Sequence, residues 1–290
     1  MGKYYYSADQ FLDDGNSGFN IKSEVDYSEI EAILRECDFL EDISFVHFAF
    51  EIAIANGRDL LAFLNKNNLN KLYNKDKDFN IIGLRANRLC LNFCTSLRLF
   101  IDRVDNIADK QPDEAKIRFK AFQSGLYDEN FEYRFFYRLR NYTIHYNFPI
   151  QIISASIEDG VEVYCSREAM LKYKKWGPVK TDILQLPESF ILREYIEKEL
   201  ALLTALWMQI HVFYIDNYIA ALKKIDEFAE KYNLKAPMYI VFDNRLQKDI
   251  PFEPDQMHPH FFQTHALMKG IELLNDIPGI QIELRKKSNE

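Results

Sequence analysis

The stretch FEYRFFYRLRNYTIHYNFPI (131–150) holds the residues of this 290-residue chain best suited to chemistry. Wound as a helix, Arg134, Arg138, Asn141 and His145 fall on one continuous face. The opposite face carries Phe131, Phe135, Leu139, Tyr142 and Tyr146, which reads as a core stripe. Arg140 lies off the polar stripe by spacing, with a side chain long enough to reach round to His145. An imidazole titrates near neutral pH, so a neutral histidine can take a proton there. A guanidinium beside it stabilises a phosphate that gains charge under attack. Asn141, one turn before His145, is placed to orient the imidazole or to hydrogen-bond phosphate.

Arg140-Asn141-Tyr142-Thr143-Ile144-His145 resembles the motif of the HEPN superfamily (higher eukaryotes and prokaryotes nucleotide-binding). There an Arg, often followed by a polar residue such as Asn, stands four to six residues before a His. Arg140 fits the four-residue spacing to His145 and Arg138 the six-residue one. The resemblance covers residues 138–145 in sequence and about 40–232 in architecture. It implies a mainly α fold, an HEPN-like helical bundle, and a metal-independent RNA endonuclease of bacterial defence or toxin type. Arg140, Asn141 and His145 are then the catalytic residues, and the ribose 2′-OH attacks the adjacent phosphate. The products are a 2′,3′-cyclic phosphate and a 5′-hydroxyl; DNA is inert. The family also implies a homodimer whose motifs face one cleft, and it admits an antitoxin or regulator as a partner. In one subset, a tyrosine two residues after the His is modified by a nucleotidyltransferase antitoxin. Here Tyr146 follows His145 directly and Asn147 stands in that tyrosine's place. Two other readings stand beside this one. The chain is a non-catalytic HEPN-like module that binds nucleotide, RNA or a protein partner, or the motif is a solvated helix end with His145 beside the last carbonyls.

Charge points the same way locally and the opposite way globally. The chain carries 36 Lys/Arg against 44 Asp/Glu, a net −8 that repels nucleic acid and anionic membranes at long range. Residues 134–180 reverse the sign, with eight Lys/Arg against four acids. Arg134, Arg138, Lys172, Lys174 and Lys175 are the candidate substrate-binding residues of that island. Tyr173 and Trp176, interleaved with the lysines, suit bases that stack while ammonium groups hold phosphates; a solvated loop is the competing reading.

No metal and no cofactor is expected. His258, His260 and His265, with Glu253 and Asp255 upstream, invite a zinc site. Pro259 and the lack of a neighbouring cysteine argue against it. His47 and His211 read as core histidines. There is no Walker loop, Rossmann glycine fingerprint, HExxH or GxSxG.

Hydrophobic residues at 48% and charged residues at 28% suit a globular chain that buries its own core. Ten Gly and nine Pro exclude collagen and low-complexity linkers, and four cysteines do not make a disulfide framework. The N-terminus lacks the pattern of a signal peptide, Tyr6 occupies the position where myristoylation expects Ser/Thr, and the Asn141-Tyr142-Thr143 sequon has no role without secretion. The segment 200–222 is long enough to span a bilayer, but Gln209, His211 and Asp216 interrupt it. It reads as a buried helix of a cytoplasmic protein.

Three regions are expected: a flexible segment over 1–26, an HEPN-like helical domain over 27–235, and a small α/β appendage over 236–290. Helices are read from Tyr27, over 43–66 with Gly57 as a break, over 82–109, from Pro112 to Gly125, over 128–149, and over about 189–232. Residues 65–80 read as polar connection, and 150–166 as a β-hairpin turning at Glu158-Asp159-Gly160. The last long helix should pack antiparallel to 82–109, burying Leu203, Leu206, Trp207 and Phe213. The appendage reads as a strand at 238–242, a helix at 261–275 and a strand at 279–284.

Overall fold

The computed structural model of the chain describes residues 4–13, 16–110, 113–156, 158, 160–234, 238–243, 257–261, 272 and 275. Within them the protein is mainly helical, with two antiparallel sheets. The chain divides into two compact units, 46–210 on one hand and 1–45 with 211–290 on the other. Helices α1 (Tyr27–Phe63) and α8 (Arg193–Lys231) each contribute residues to both.

In unit 46–210, α1 settles an ambiguity of pattern. Val46, Phe48, Phe50, Ile52 and Ile54 alternate like a strand, yet burial follows the helical period through Val46, Ala49, Phe50, Ala53 and Ile54. Phe48 is left 68% exposed. The helix runs through Gly57 without a break, because that position is a contact point. A Cβ there would lie 2.6 Å from Leu200 Cδ2 and 2.9 Å from Phe93 Cε2. Leu203, Leu206 and Trp207 are buried as expected, while Phe213 is only half-buried. Trp207 stacks on His47 and Phe50 of α1.

The supposed polar connection holds a helix, α2 (Lys66–Asp76), capped by Asn65 and closed at Lys77 with φ 54°. Leu69 is its buried anchor, with Leu72 and Tyr73 half-buried on the same face, a short helical pattern set among Asn and Lys. Next come α3 (Phe79–Asp109), capped by Asp78, α4 (Asp113–Glu129) and α5 (Phe131–His145). Pro112 lies outside the described residues. Helix α4 passes through Gly125, where nothing crowds the backbone.

The hairpin forms as read, from β3 (Ile150–Ser156) and β4 (Gly160–Ser166). Asn70 Oδ1 accepts from Val161 N at 2.6 Å and crowds Gly160, which turns at φ 74°. Helices α6 (Arg167–Leu171) and α7 (Val179–Leu184) and strand β5 (Ser189–Phe190), paired with β4, complete this unit.

In the other unit, the expected flexible segment is a hairpin of β1 (Tyr4–Asp13) and β2 (Asn16–Glu24). Here β1 is an inner strand, in a sheet of order β2-β1-β6-β7 with β6 (Met238–Asp243) and β7 (Met257–Phe261). Ala8 is fully buried there. The strand expected at 238–242 is β6, but it pairs with β1 and does not found a separate appendage. The helix expected at 261–275 and the strand at 279–284 lie outside the described residues, apart from Phe261, Glu272 and Asn275. In this unit α1 and α8 run antiparallel, with Glu29 paired to Lys231 and Glu36 to Lys224. Among the described residues no helix is long and apolar enough to cross a membrane.

Candidate functional site

Helix α5 owes its position to aromatic packing. Phe135, Phe136, Leu139 and Tyr142 are fully buried. Trp176 is buried beside them, stacked on Phe135 at 6.0 Å and Tyr142 at 5.3 Å, and it donates from Nε1 to Met170 O at 2.6 Å. Phe131 is half-buried and Tyr146 is 49% exposed, so the buried arc is carried by Tyr133 and Phe136 in their stead.

His145 is the last residue of α5 and is exposed. Tyr146 and Asn147 donate their backbone N–H groups to Tyr142 O, which closes the helix behind it. Arg140 donates from Nη1 to Asn141 Oδ1 at 3.3 Å. Five positions before His145, Arg140 would project well away from the imidazole; this bond draws its guanidinium toward Asn141, which stands one turn before His145. The Nε of Arg140 is buried without a hydrogen-bond partner, so the arginine stem is packed while its tip is held at the surface of the stripe.

The basic island sorts into engaged and open residues. Arg134 is engaged: Nε and Nη2 bind the two oxygens of Asp182 at 3.0 and 3.1 Å, and Nη1 donates to Tyr127 O and Asp128 O. It closes the C-terminal end of α4 and ties α5 to α7, a structural use that replaces the expected contact with substrate. Lys172 pairs with Glu168 at 2.9 Å. Lys174 and Lys175 are exposed. Tyr173 and Trp176 are core residues, which removes them as stacking platforms. Tyr173 nonetheless packs on Tyr142 and Tyr146, at 5.7 and 5.6 Å, so the lysine segment sits directly against the His145 end of α5.

Arg138 is half-buried. It lines a cleft of about 450 Å³ with Asp105, Gln123, Tyr127, Tyr133 and Tyr137. None of those five partners was picked out in the sequence, although Tyr127, Tyr133 and Tyr137 recur at a spacing that a helical hairpin brings together.

The remaining candidates are quickly placed. His258 and His260 belong to β7, opposite Phe242 and Ile240, while Glu253, Asp255 and His265 lie outside the described residues. Among the described residues no group of three or more His, Cys, Asp or Glu side chains could hold a metal ion. The four cysteines are free and buried, and burial pushes the Cys37 thiol up to about 12. No protein-family profile matches this sequence, and no curated protein or solved structure matches it either.

Proposed function

We propose that the protein is a metal-independent RNA endonuclease of HEPN type, with His145 as general base. The carrying observation is the Arg140–Asn141 hydrogen bond, which turns a guanidinium toward the stripe that ends in the exposed His145. The imidazole takes the proton of a ribose 2′-OH, and the 2′-oxygen attacks the adjacent phosphorus. The bond to the 5′-oxygen breaks, and that oxygen takes a proton from water. Arg140 stabilises the charge that builds on the phosphate oxygens, and Asn141 holds Arg140 in place. Lys174 and Lys175 contribute long-range attraction for the strand. Ile144, Tyr146 and Phe148, 45–53% exposed beside His145, form the apolar surface a second copy covers when two motifs meet across one cleft.

One observation favours a second reading, a non-catalytic module that binds nucleotide, RNA or a protein partner. No hydrogen bond joins Arg140 to His145 among the described residues. The test is a fluorescent single-stranded RNA incubated in EDTA with wild type, His145→Ala and Arg140→Ala, with a DNA oligomer as control. Cleavage of RNA alone, lost in both variants, supports the nuclease; RNA that is bound but never cut leaves the binding module.

A further inference from the structure

The cleft beside Arg138 is built for more than packing. Its walls are aromatic: the ring of Tyr127 meets Tyr133 at 87° and Tyr137 at 89°. Its polar groups converge from three helices, with Asp105 from α3, Gln123 and Ser124 from α4, and Arg138 from α5. Two buried polar atoms at its lining, one on Tyr133 and one on Arg138, have no hydrogen-bond partner by geometry. Tyr133 is 2% exposed, and its hydroxyl has no partner at hydrogen-bond geometry, although Gln123 stands near it. Arg138 Nε is buried and equally unpaired. A buried polar group left unpaired costs stability, so two in one cleft mark a place where a ligand completes the bonding. Burial raises the Asp105 carboxyl above its ordinary range, against the opposing pull of the Gln123 amide and the Lys120 ammonium.

We propose that this cleft binds one unstacked nucleobase of RNA, with its ring against the tyrosines, its hydrogen-bonding edge on Asp105 and Gln123, and the adjoining phosphate on Arg138. A nucleotide meets every feature at once. Its base has a π-face for aromatic walls and an edge of donors and acceptors for a carboxylate and an amide. Its phosphate suits a guanidinium better than an ammonium. The cleft's volume of about 450 Å³ falls within the range of roughly 300–1,000 Å³ common for small-ligand sites. Asp105 selects among bases, since a carboxylate only accepts while it is ionised. Guanine offers two adjacent donors, adenine and cytosine an exocyclic amine, and uracil no amine. Along α5, Arg138 precedes His145 by about 10 Å, which about three stacked nucleotides at ~3.4 Å each would span. One strand therefore reaches both groups. Here the inference rests on the nuclease reading: a base seated in the cleft fixes which phosphate arrives at His145.

The experiment is calorimetric titration of the full chain with 5′-GMP, AMP, CMP and UMP, and with inorganic phosphate alone. GMP should bind at least fivefold more tightly than UMP. Asp105→Asn should erase that preference, and Arg138→Gln should weaken GMP at least tenfold while leaving guanosine unaffected. Ser124→Glu, on the exposed rim, should also weaken GMP and serves where Arg138→Gln lowers the melting temperature. Absence of saturable GMP binding, or binding indifferent to all three variants, overturns the pocket. The two readings fail separately. His145→Ala should bind GMP as wild type does. GMP binding without RNA cleavage sinks only the nuclease; RNA cleavage without GMP binding sinks only the pocket.

Discussion

Asn87 grips Ile150 by both of its main-chain groups. Its Oδ1 accepts from Ile150 N at 3.0 Å and its Nδ2 donates to Ile150 O at 2.8 Å. The chain leaving α5 is thereby fixed to α3 five residues after His145, at the first residue of β3. Asn87→Ala would leave both buried backbone groups unpaired, and a loss of roughly 2–4 kcal/mol is expected. Urea denaturation measures it. A loss below about 0.5 kcal/mol, the level of an ordinary surface change, would show that water replaces the clip.

Arg134 should behave as a structural residue. Its guanidinium is spent on Asp182 and on two carbonyls at the end of α4. Arg134→Ala is expected to lower stability by about 1–3 kcal/mol and Asp182→Ala by a similar amount. In the double mutant the losses should be far from additive. RNA affinity of the folded variant should match wild type; a large drop in affinity at unchanged stability would return Arg134 to the substrate-binding surface.

His145 lies on the other side of that distinction. Exposed, it contributes little to packing, so His145→Ala should change stability by no more than about 0.5 kcal/mol. Thermal melts of the two proteins check this. A large destabilisation would mean that the loss of cleavage in that variant reports on folding instead of chemistry.

Glu199 supplies a pH dependence. It is fully buried, both carboxylate oxygens lack hydrogen-bond partners, and burial, aided by the charge of Glu132, pushes its carboxyl well above the ordinary range. Above that ordinary range the unfolded chain has released this proton while the folded chain keeps it. The folded state then binds more protons, so this group makes stability fall as pH rises, by at most ~1.4 kcal/mol per pH unit. The fall ends where the folded carboxyl itself ionises, and below the ordinary range both states hold the proton. Glu199→Gln removes the slope. Denaturation curves should show the variant's advantage growing as pH rises above the ordinary carboxyl value of about 4.3; a constant offset there would mean Glu199 ionises in place.

What the sequence made legible was what short-range periodicity encodes. The stripe that buries Phe135, Leu139 and Tyr142, the alternation along β4 and the long last helix all repeat a burial pattern. Helix α2 escaped because its apolar face is only Leu69, Leu72 and Tyr73 among Asn and Lys. The N-terminal hairpin escaped because β1 pairs with β6, more than two hundred residues away, and no local pattern announces a distant partner. At the site, the exposure of His145 followed from spacing, whereas the engagement of Arg134 depended on Asp182, which only the fold brings near. The tyrosine-walled cleft was invisible for the same reason: it joins three helices, and each contributes residues unremarkable on their own.

The place of β1 between β2 and β6 has a consequence for biosynthesis. Residues 46–210 leave the ribosome before β6 is made, so that unit has all its contacts available early. Strand β1 can pair with β2 as soon as both are made, but its other edge, where Tyr6 meets Val241, must wait for more than two hundred further residues. Such long-range pairing is slow, and an open edge in the interval is a template for foreign strands. A ribosome that stalls between residues 210 and 238 therefore leaves a chain whose helical unit is complete while β1 still has one bare edge.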